Sequence, residues 1–339
     1  MSSRLDRKLA NIRAGKYTRS DFIIADAKDS DVGAGVTATG FDWSGETPRR
    51  RSRQEFLDQI EAIINQDIVD IMLLSQSNLE LLQERGAFVG SEIKPAIRAN
   101  LESMCWGAVR HGKYTQTASI PFRDTNIARA MANYPTSGTD LGLYSVSFSN
   151  DLEADARSLN AFADFRAEAA KYGFKYFYEV FNPSVDTGLT REEIGEFVND
   201  NIIKSLASVT RADRPLFLKT VYNGPKALEE LVNFDSELIV GVLGGGAGTT
   251  RDTLELVSQA ERYGARLALF GRKINLAEAP LQLLVLMRQV ADGSVDPEEA
   301  VRAYHGELQK LGIKAARSLD EDRKITEEVL KPAAKLKAV

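Results

Sequence analysis

The chain of 339 residues contains one cysteine and two histidines. A lone thiol, Cys105, excludes an internal disulfide framework and fits a reducing compartment. Histidine and cysteine are also the usual zinc ligands, so so few of them leave little material for a metal site. Long apolar runs are missing too. No stretch approaches the ~20 residues needed to cross a bilayer, and the segment from Ser2 to Arg19 is basic and polar, with no apolar core of the kind a secretory signal carries. A cytoplasmic protein that does not meet a membrane is therefore expected. Positive charge is not in excess. A formal net charge of -5 argues against a nucleic-acid partner. The basic run Pro48-Arg49-Arg50-Arg51-Ser52-Arg53 reads either as solvated surface or as a local phosphate contact.

What is present is the composition of an enzyme-sized globular protein, 43% hydrophobic and 27% charged, long enough to bury a full core. Eight short apolar runs stand along it: Phe22–Ala27, Ile68–Leu74, Ile93–Ile97, Leu143–Phe148, Lys175–Phe181, Pro215–Val221, Glu237–Leu243 and Arg266–Phe270. Continuous runs of this length read as buried parallel strands. The third is interrupted by Pro95 and the fourth diluted by Ser145 and Ser147. Helix starts lie between them. Ser52 with Glu55 and Thr190 with Glu193 have capping-box spacing, Gly224-Pro225 opens another apolar face, and Asp296-Pro297 supplies an N-cap followed by proline.

Strand–helix alternation implies a parallel sheet with right-handed crossovers, and eight units fit a closed (β/α)8 TIM barrel. An open doubly wound sheet is the alternative. Against it, the first strand is followed by Lys28-Asp29-Ser30-Asp31-Val32-Gly33-Ala34-Gly35, which lacks a G-x-G-x-x-G turn. The expectation is one barrel domain over residues 1–339, its core at about 20–312, with an N-terminal extension and a charged helical tail over 313–339 that carries Lys331, Lys335 and Lys337. The long connections 29–51 and 99–139 are either lids over an active site or ordinary surface insertions.

Three constellations could carry chemistry. Lys219 lies in Pro215-Leu216-Phe217-Leu218-Lys219-Thr220-Val221, the sixth expected strand, on one face with Phe217 and Val221. Desolvation there disfavours the ammonium, and a neutral amine forms Schiff bases with carbonyl compounds. The alternative is a stem lying on apolar surface with its head in water. Next, Gly244-Gly245-Gly246-Ala247-Gly248-Thr249-Thr250 follows the seventh run, and Phe270-Gly271-Arg272-Lys273 ends the eighth. Glycines let backbone amides approach an anion, and barrel phosphate sites are frequently built after strands seven and eight. Third, Asp26 ends the first run, Glu179 lies on the fifth and Tyr222 closes the sixth. Carboxylates beside a lysine either move protons or merely pair with it. His111 is expected in an exposed loop, with a lid role as the alternative, and His305 on a helix surface. Cys105 beside Trp106 is expected to pack, as are Tyr144 and Tyr178.

These residues together resemble the superfamily of deoxyribose-phosphate aldolase, tagatose-bisphosphate aldolase and the archaeal-type class I fructose-bisphosphate aldolases. The resemblance covers residues 20–312 and rests on order and placement. Lys219 matches the family's Schiff-base lysine on strand six, Asp26 its aspartate at the end of strand one, and Glu179 an acid on strand five. Gly244 and Gly245 match the glycine pair after strand seven, and Gly271-Arg272 the phosphate-holding Gly-Arg after strand eight. The resemblance implies a metal-independent, cofactor-free class I aldolase, a homo-oligomer acting on a phosphorylated sugar or keto compound. A transaldolase- or thiolase-like use of the same imine and a non-catalytic phosphosugar-binding barrel are the alternatives. Two features depart from the family: Leu143–Ser149 holds no second lysine, for which Lys28, two residues after Asp26, is the substitute at hand, and strand eight ends in Gly271-Arg272-Lys273-Ile274 where relatives often have asparagine after the arginine.

Overall fold

The computed structural model describes residues 3–103, 109–123 and 125–331. Cys105 and Trp106, together with Lys335 and Lys337, lie outside them. Eight parallel strands close into a barrel: β1 Ile23–Lys28, β2 Ile71–Leu74, β3 Lys94–Arg98, β4 Leu141–Ser147, β5 Lys175–Phe181, β6 Leu218–Thr220, β7 Val240–Leu243 and β8 Leu267–Phe270. All eight fall on the expected runs. β1 closes the circle by pairing with both β8 and β2. Pro95 is tolerated because it stands second in β3, near the strand start.

Helices fill the crossovers. Those used below are α1 Arg4–Arg13, α2 Arg53–Gln66, α3 Gln76–Glu84, α4 Leu152–Tyr172, α5 Arg191–Leu206, α6 Pro225–Phe234, α7 Thr250–Arg262, α8 Pro280–Asp292 and α9 Pro297–Lys310. The Ser52–Glu55 and Thr190–Glu193 boxes cap α2 and α5, and Asp296 caps α9.

The two-residue period of a strand sorts the core into two layers. Ile23, Ala25, Ala27, Ile71, Leu73, Ala96, Leu141, Leu143, Phe177, Phe217, Ile239, Leu267 and Leu269 form one buried cluster, the barrel lumen. Their strand neighbours Ile24, Met72, Ile97, Tyr144, Val146, Tyr178, Val180, Leu218, Val240 and Phe270 pack outward in the larger cluster that the helices cover. Phe177 and Phe217 stack in the lumen with ring centroids 4.7 Å apart.

The N-terminal extension is α1, and its Leu5 and Leu9 join the lumen cluster, so the helix plugs one end of the barrel. A buried carboxylate fastens it there. Asp70 receives Arg4 at 3.0 Å and Lys8 at 2.8 Å from α1, Arg288 of α8 at 3.1 Å, and the Ile24 backbone N–H at 2.8 Å.

The first insertion, 29–51, forms short helical turns and a hairpin pairing Phe41–Asp42 with Arg49–Arg50. Its arginines are taken up by the chain: Arg49 pairs with Asp42 and Glu55, Arg50 lies over the Phe41 ring, and Arg53 of α2 binds Asn78. The second insertion contains a hairpin of Leu101–Glu102 with Pro121–Phe122, tied to the end of β4 by the Ser119 N–H donating to Ser149 Oγ at 2.8 Å.

Residues 313–330 depart from the expected helical tail, of which 332–339 lie outside the described residues. Through Lys331 it has only two short helical turns, Leu319–Asp322 and Glu328–Leu330, joined by an extended strap. The strap competes successfully with a helix because carboxylates fix its backbone: Asp252 accepts the N–H groups of Thr326 and Glu327, and Asp322 accepts the N–H of Thr250. Among the described residues no helix is long and apolar enough to cross a membrane.

Asp70→Asn leaves three cations facing a neutral amide, and removal of one member of a buried charge cluster costs about 3–5 kcal/mol. Equilibrium unfolding in urea should show that loss. A change below about 1 kcal/mol would mean that the α1 plug is held by Leu5 and Leu9 alone.

Candidate active site

Lys219 and Glu179 stand at the same level of adjacent strands, as register partners of β6 and β5. Both follow a lumen phenylalanine by two residues, which turns them into the barrel. Lys219 Nζ lies 2.5 Å from Glu179 Oε1, and both residues are buried. On β7, Gly241 is the register partner of Lys219 on its other side. A Cβ there would lie 2.2 Å from Leu267 Cδ2, so only glycine lets β7 and β8 close beside the lysine.

Four further side chains, which the sequence reading did not single out, complete the lumen network. Ser145 of β4 donates to Glu179 Oε2 at 2.5 Å. Arg98, the last residue of β3, donates to Ser145 Oγ at 2.6 Å and approaches Glu179 Oε2 at 3.4 Å. Its Nε donates to Asp29 Oδ2 at 2.6 Å. Asn100 then fixes β4 through the Ser145 backbone, donating to its carbonyl at 2.8 Å and accepting its N–H at 2.7 Å. A two-residue count from Ala27, Ala96 and Leu143 reaches Asp29, Arg98 and Ser145, so the pattern was available.

Burial pushes the Glu179 carboxyl up, but the Lys219 and Arg98 charges and the Ser145 hydroxyl outweigh it and hold the group below the usual carboxylate range. Glu179 is therefore held as a carboxylate facing the Lys219 side chain.

Asp26 does not join this set. It shares the outward face of β1 with Ile24, while Ala25 and Ala27 face the lumen. Its register partners are Phe270 and Met72, both of the outer layer. Its companion is Lys28, at 3.2 Å, and both are fully buried. Burial pushes the Asp26 carboxyl up and the Lys28 ammonium down, each against the pull of the other.

The two glycine turns do meet. β7 pairs with β8, and Lys273 Nζ reaches the Ala247 carbonyl at 3.5 Å. Gly245 has a φ of +67°, and space is open at Gly245 and Gly246, whereas Gly244 and Gly271 pack closely against Phe270 and the Ala27 carbonyl. Arg272 is exposed, while Lys273 is buried and paired at 2.6 Å with Glu327 of the strap. Tyr222 points away into the helical layer, donating to Gln259 at 2.7 Å. His111 is exposed, with a φ of +66°, and His305 Nε2 lies 3.0 Å from Asp322 Oδ2. Among the described residues no cluster of three or more His, Cys, Asp or Glu is placed to hold a metal ion.

A closed parallel barrel with a buried lysine–glutamate pair across strands five and six, and two glycine turns after strands seven and eight, defines the class of site. No protein-family model and no curated protein matches the sequence. Solved structures do match the fold. An archaeal fructose 1,6-bisphosphate aldolase superposes with a TM-score of 0.60 at 15% identity, covering 84% of this chain and 99% of its own. A Schiff-base-forming fructose-1,6-bisphosphate aldolase gives 0.61 at 14% identity over 84% and 99%. The fructose-bisphosphate aldolase of Slackia heliotrinireducens gives 0.64 at 12% identity over 94% and 93%. The shared (β/α)8 fold is what these likenesses establish.

The Asp26–Lys28 pair behaves as a structural pair if its position governs. Asp26→Asn or Lys28→Met alone should each cost about 3–5 kcal/mol by leaving one buried charge unpaired, and the double variant should cost clearly less than their sum. Thermal or urea unfolding of the three variants checks this. Additive losses would show that the two charges do not interact.

Proposed function

We propose that the chain is a class I aldolase, a lyase that breaks or makes a C–C bond in a phosphorylated sugar through a Schiff base on Lys219. The observation that carries this reading is the Lys219 amine 2.5 Å from the Glu179 carboxylate, in the lumen of a barrel. An ammonium is no nucleophile, and Glu179 is within reach to take its proton.

The freed amine adds to the sugar carbonyl, and the carbonyl oxygen takes up a proton to give a carbinolamine. Loss of that oxygen as water leaves an iminium. The bond between the α and β carbons then breaks: its electron pair becomes the double bond of an enamine as the iminium nitrogen takes up the C=N pair, the hydroxyl on the β carbon gives up its proton, and an aldehyde departs. The remaining enamine is protonated at carbon, and water returns to hydrolyse the iminium. With Asp26 behind the barrel wall, this reading gives Glu179 the proton transfers at both the carbinolamine and the hydroxyl. The turn of Gly244 and Gly245, with open space at Gly245, together with Gly271 and the exposed Arg272, is assigned to the sugar phosphate. No metal or cofactor is required by this sequence of steps.

Incubation with a panel of ketose and aldose phosphates plus borohydride, followed by peptide mass mapping, should add the mass of a reduced sugar to the peptide carrying Lys219. Labelling at Lys28 or Lys273 instead would refute the assignment, and phosphate binding with no trapped imine would favour a non-catalytic sugar-binding barrel. Loss of turnover on chelation, restored by a divalent cation, would overturn the imine route.

Glu179→Gln should lower kcat by ~10²–10⁴ with the fold retained, the usual range for a group that moves protons. Arg272→Ala should raise KM for a phosphorylated substrate roughly 10-fold or more, in line with loss of a charge-assisted hydrogen bond, and leave an unphosphorylated analogue nearly unchanged. Equal losses for both substrates would remove Arg272 from the phosphate site.

A further inference from the structure

Glu179 has two carboxylate oxygens, and they are held from opposite sides of the lumen. Oε1 meets Lys219 of β6 at 2.5 Å, and Oε2 meets Ser145 of β4 at 2.5 Å and Arg98 of β3 at 3.4 Å. Arg98 is in turn fixed by Asp29 at the end of β1, through Nε at 2.6 Å, with both residues buried. A line of alternating charge thus runs across the lumen from β1 to β6: Asp29, Arg98, Glu179, Lys219. The planar guanidinium is suited to this place because it can bond Asp29 through one nitrogen and Ser145 and Glu179 through another.

The consequence for Glu179 is geometric first. With Oε2 occupied by Ser145 and Arg98, the carboxylate cannot rotate both oxygens toward Lys219, so Oε1 alone is aimed at the amine. It is also electrostatic. The charged groups facing Glu179 are Lys219 and Arg98, and Asp29 faces it only across Arg98. If Arg98 were absent, a single cation would be left to offset the desolvation of a buried carboxylate, and Glu179 would take up a proton at a higher pH.

We propose that Arg98, anchored by Asp29, is a positioning residue that orients the Glu179 carboxylate and keeps it ionised against Lys219. The chemical consequence rests on the aldolase reading given above, but the orientation and the charge state of Glu179 do not, and they can be measured without any substrate.

The experiment uses the full chain carrying 13C-labelled glutamate carboxyl groups, with the Glu179 resonance assigned by its absence in Glu179→Gln, and titration followed by NMR. Arg98→Met should raise the midpoint of Glu179 by roughly one pH unit or more, the usual size of an adjacent opposite charge. Arg98→Lys, which keeps the charge, should restore most of the shift. Arg98→Gln, a polar replacement, serves if the methionine variant does not fold by circular dichroism. A Glu179 midpoint unmoved in a folded Arg98→Met or Arg98→Gln protein would overturn the proposal, and so would an equal rise in Arg98→Lys. Borohydride trapping with the panel of ketose and aldose phosphates separates this from the functional reading. Trapping that fails in the wild-type chain while the Glu179 midpoint moves as expected rejects the aldolase reading and leaves the role of Arg98 standing.

Discussion

A cation and a carboxylate placed side by side in the lumen of the barrel are the constraint around which the rest is arranged. Neither Lys219 nor Glu179 can be buried alone, because an isolated charge in such a place costs several kcal/mol after relaxation. Together they hold each other in register on β6 and β5, and the remaining lone pairs of Glu179 are met by Ser145 and Arg98. Gly241 answers the same constraint from the other side. Only a strand without a side chain at that level allows β7 to lie beside the lysine without striking Leu267. Below this polar level the lumen is filled by Phe177, Phe217 and aliphatic neighbours, and α1 closes the end, so water reaches the pair only from the opposite mouth.

The eight strands were legible because each is a short continuous apolar run, and a closed parallel barrel demands such runs on every strand. Capping residues such as Ser52, Thr190 and Asp296 were legible for a local reason, since the cap and its partner lie within one turn. Lys219 and Glu179 stood out as charges within apolar strands. Asp26 stood out equally, and there the one-dimensional pattern misleads. β1 is buried on both faces, so hydrophobicity does not tell lumen from outer layer, and only counting from Ala25 and Ala27 shows that Asp29 faces the site. Arg98 escaped notice for another reason. Its meaning depends on partners 69 and 81 positions away, which no local pattern reports. Ser145 read as a dilution of the fourth run, though it is the hydroxyl on which Arg98 and Glu179 converge.

The tail and the first insertion illustrate how charge is spent within this chain. A helical reading of 313–339 weighs local propensity, whereas Asp252, Asp322 and Glu327 bind the strap to the start of α7 and to Lys273. Likewise Arg49 is paired with Asp42 and Glu55, and Arg53 with Asn78, within the chain itself. A basic side chain left facing solvent at the paired glycine turns is Arg272. Basic runs and lysine-rich ends are thus poor guides to anion sites. A cation beside open backbone amides is a better one.

The most direct test of the central claim is a crystal structure of the chain soaked with dihydroxyacetone phosphate and reduced with borohydride. The account predicts continuous density from Lys219 Nζ into the ligand carbon, Glu179 still within hydrogen-bond reach of that nitrogen, and the phosphate at the turn of Gly244 and Gly245 beside Arg272. Density joined to a different lysine, or a ligand seated in the mouth without a bond to Lys219, would contradict it.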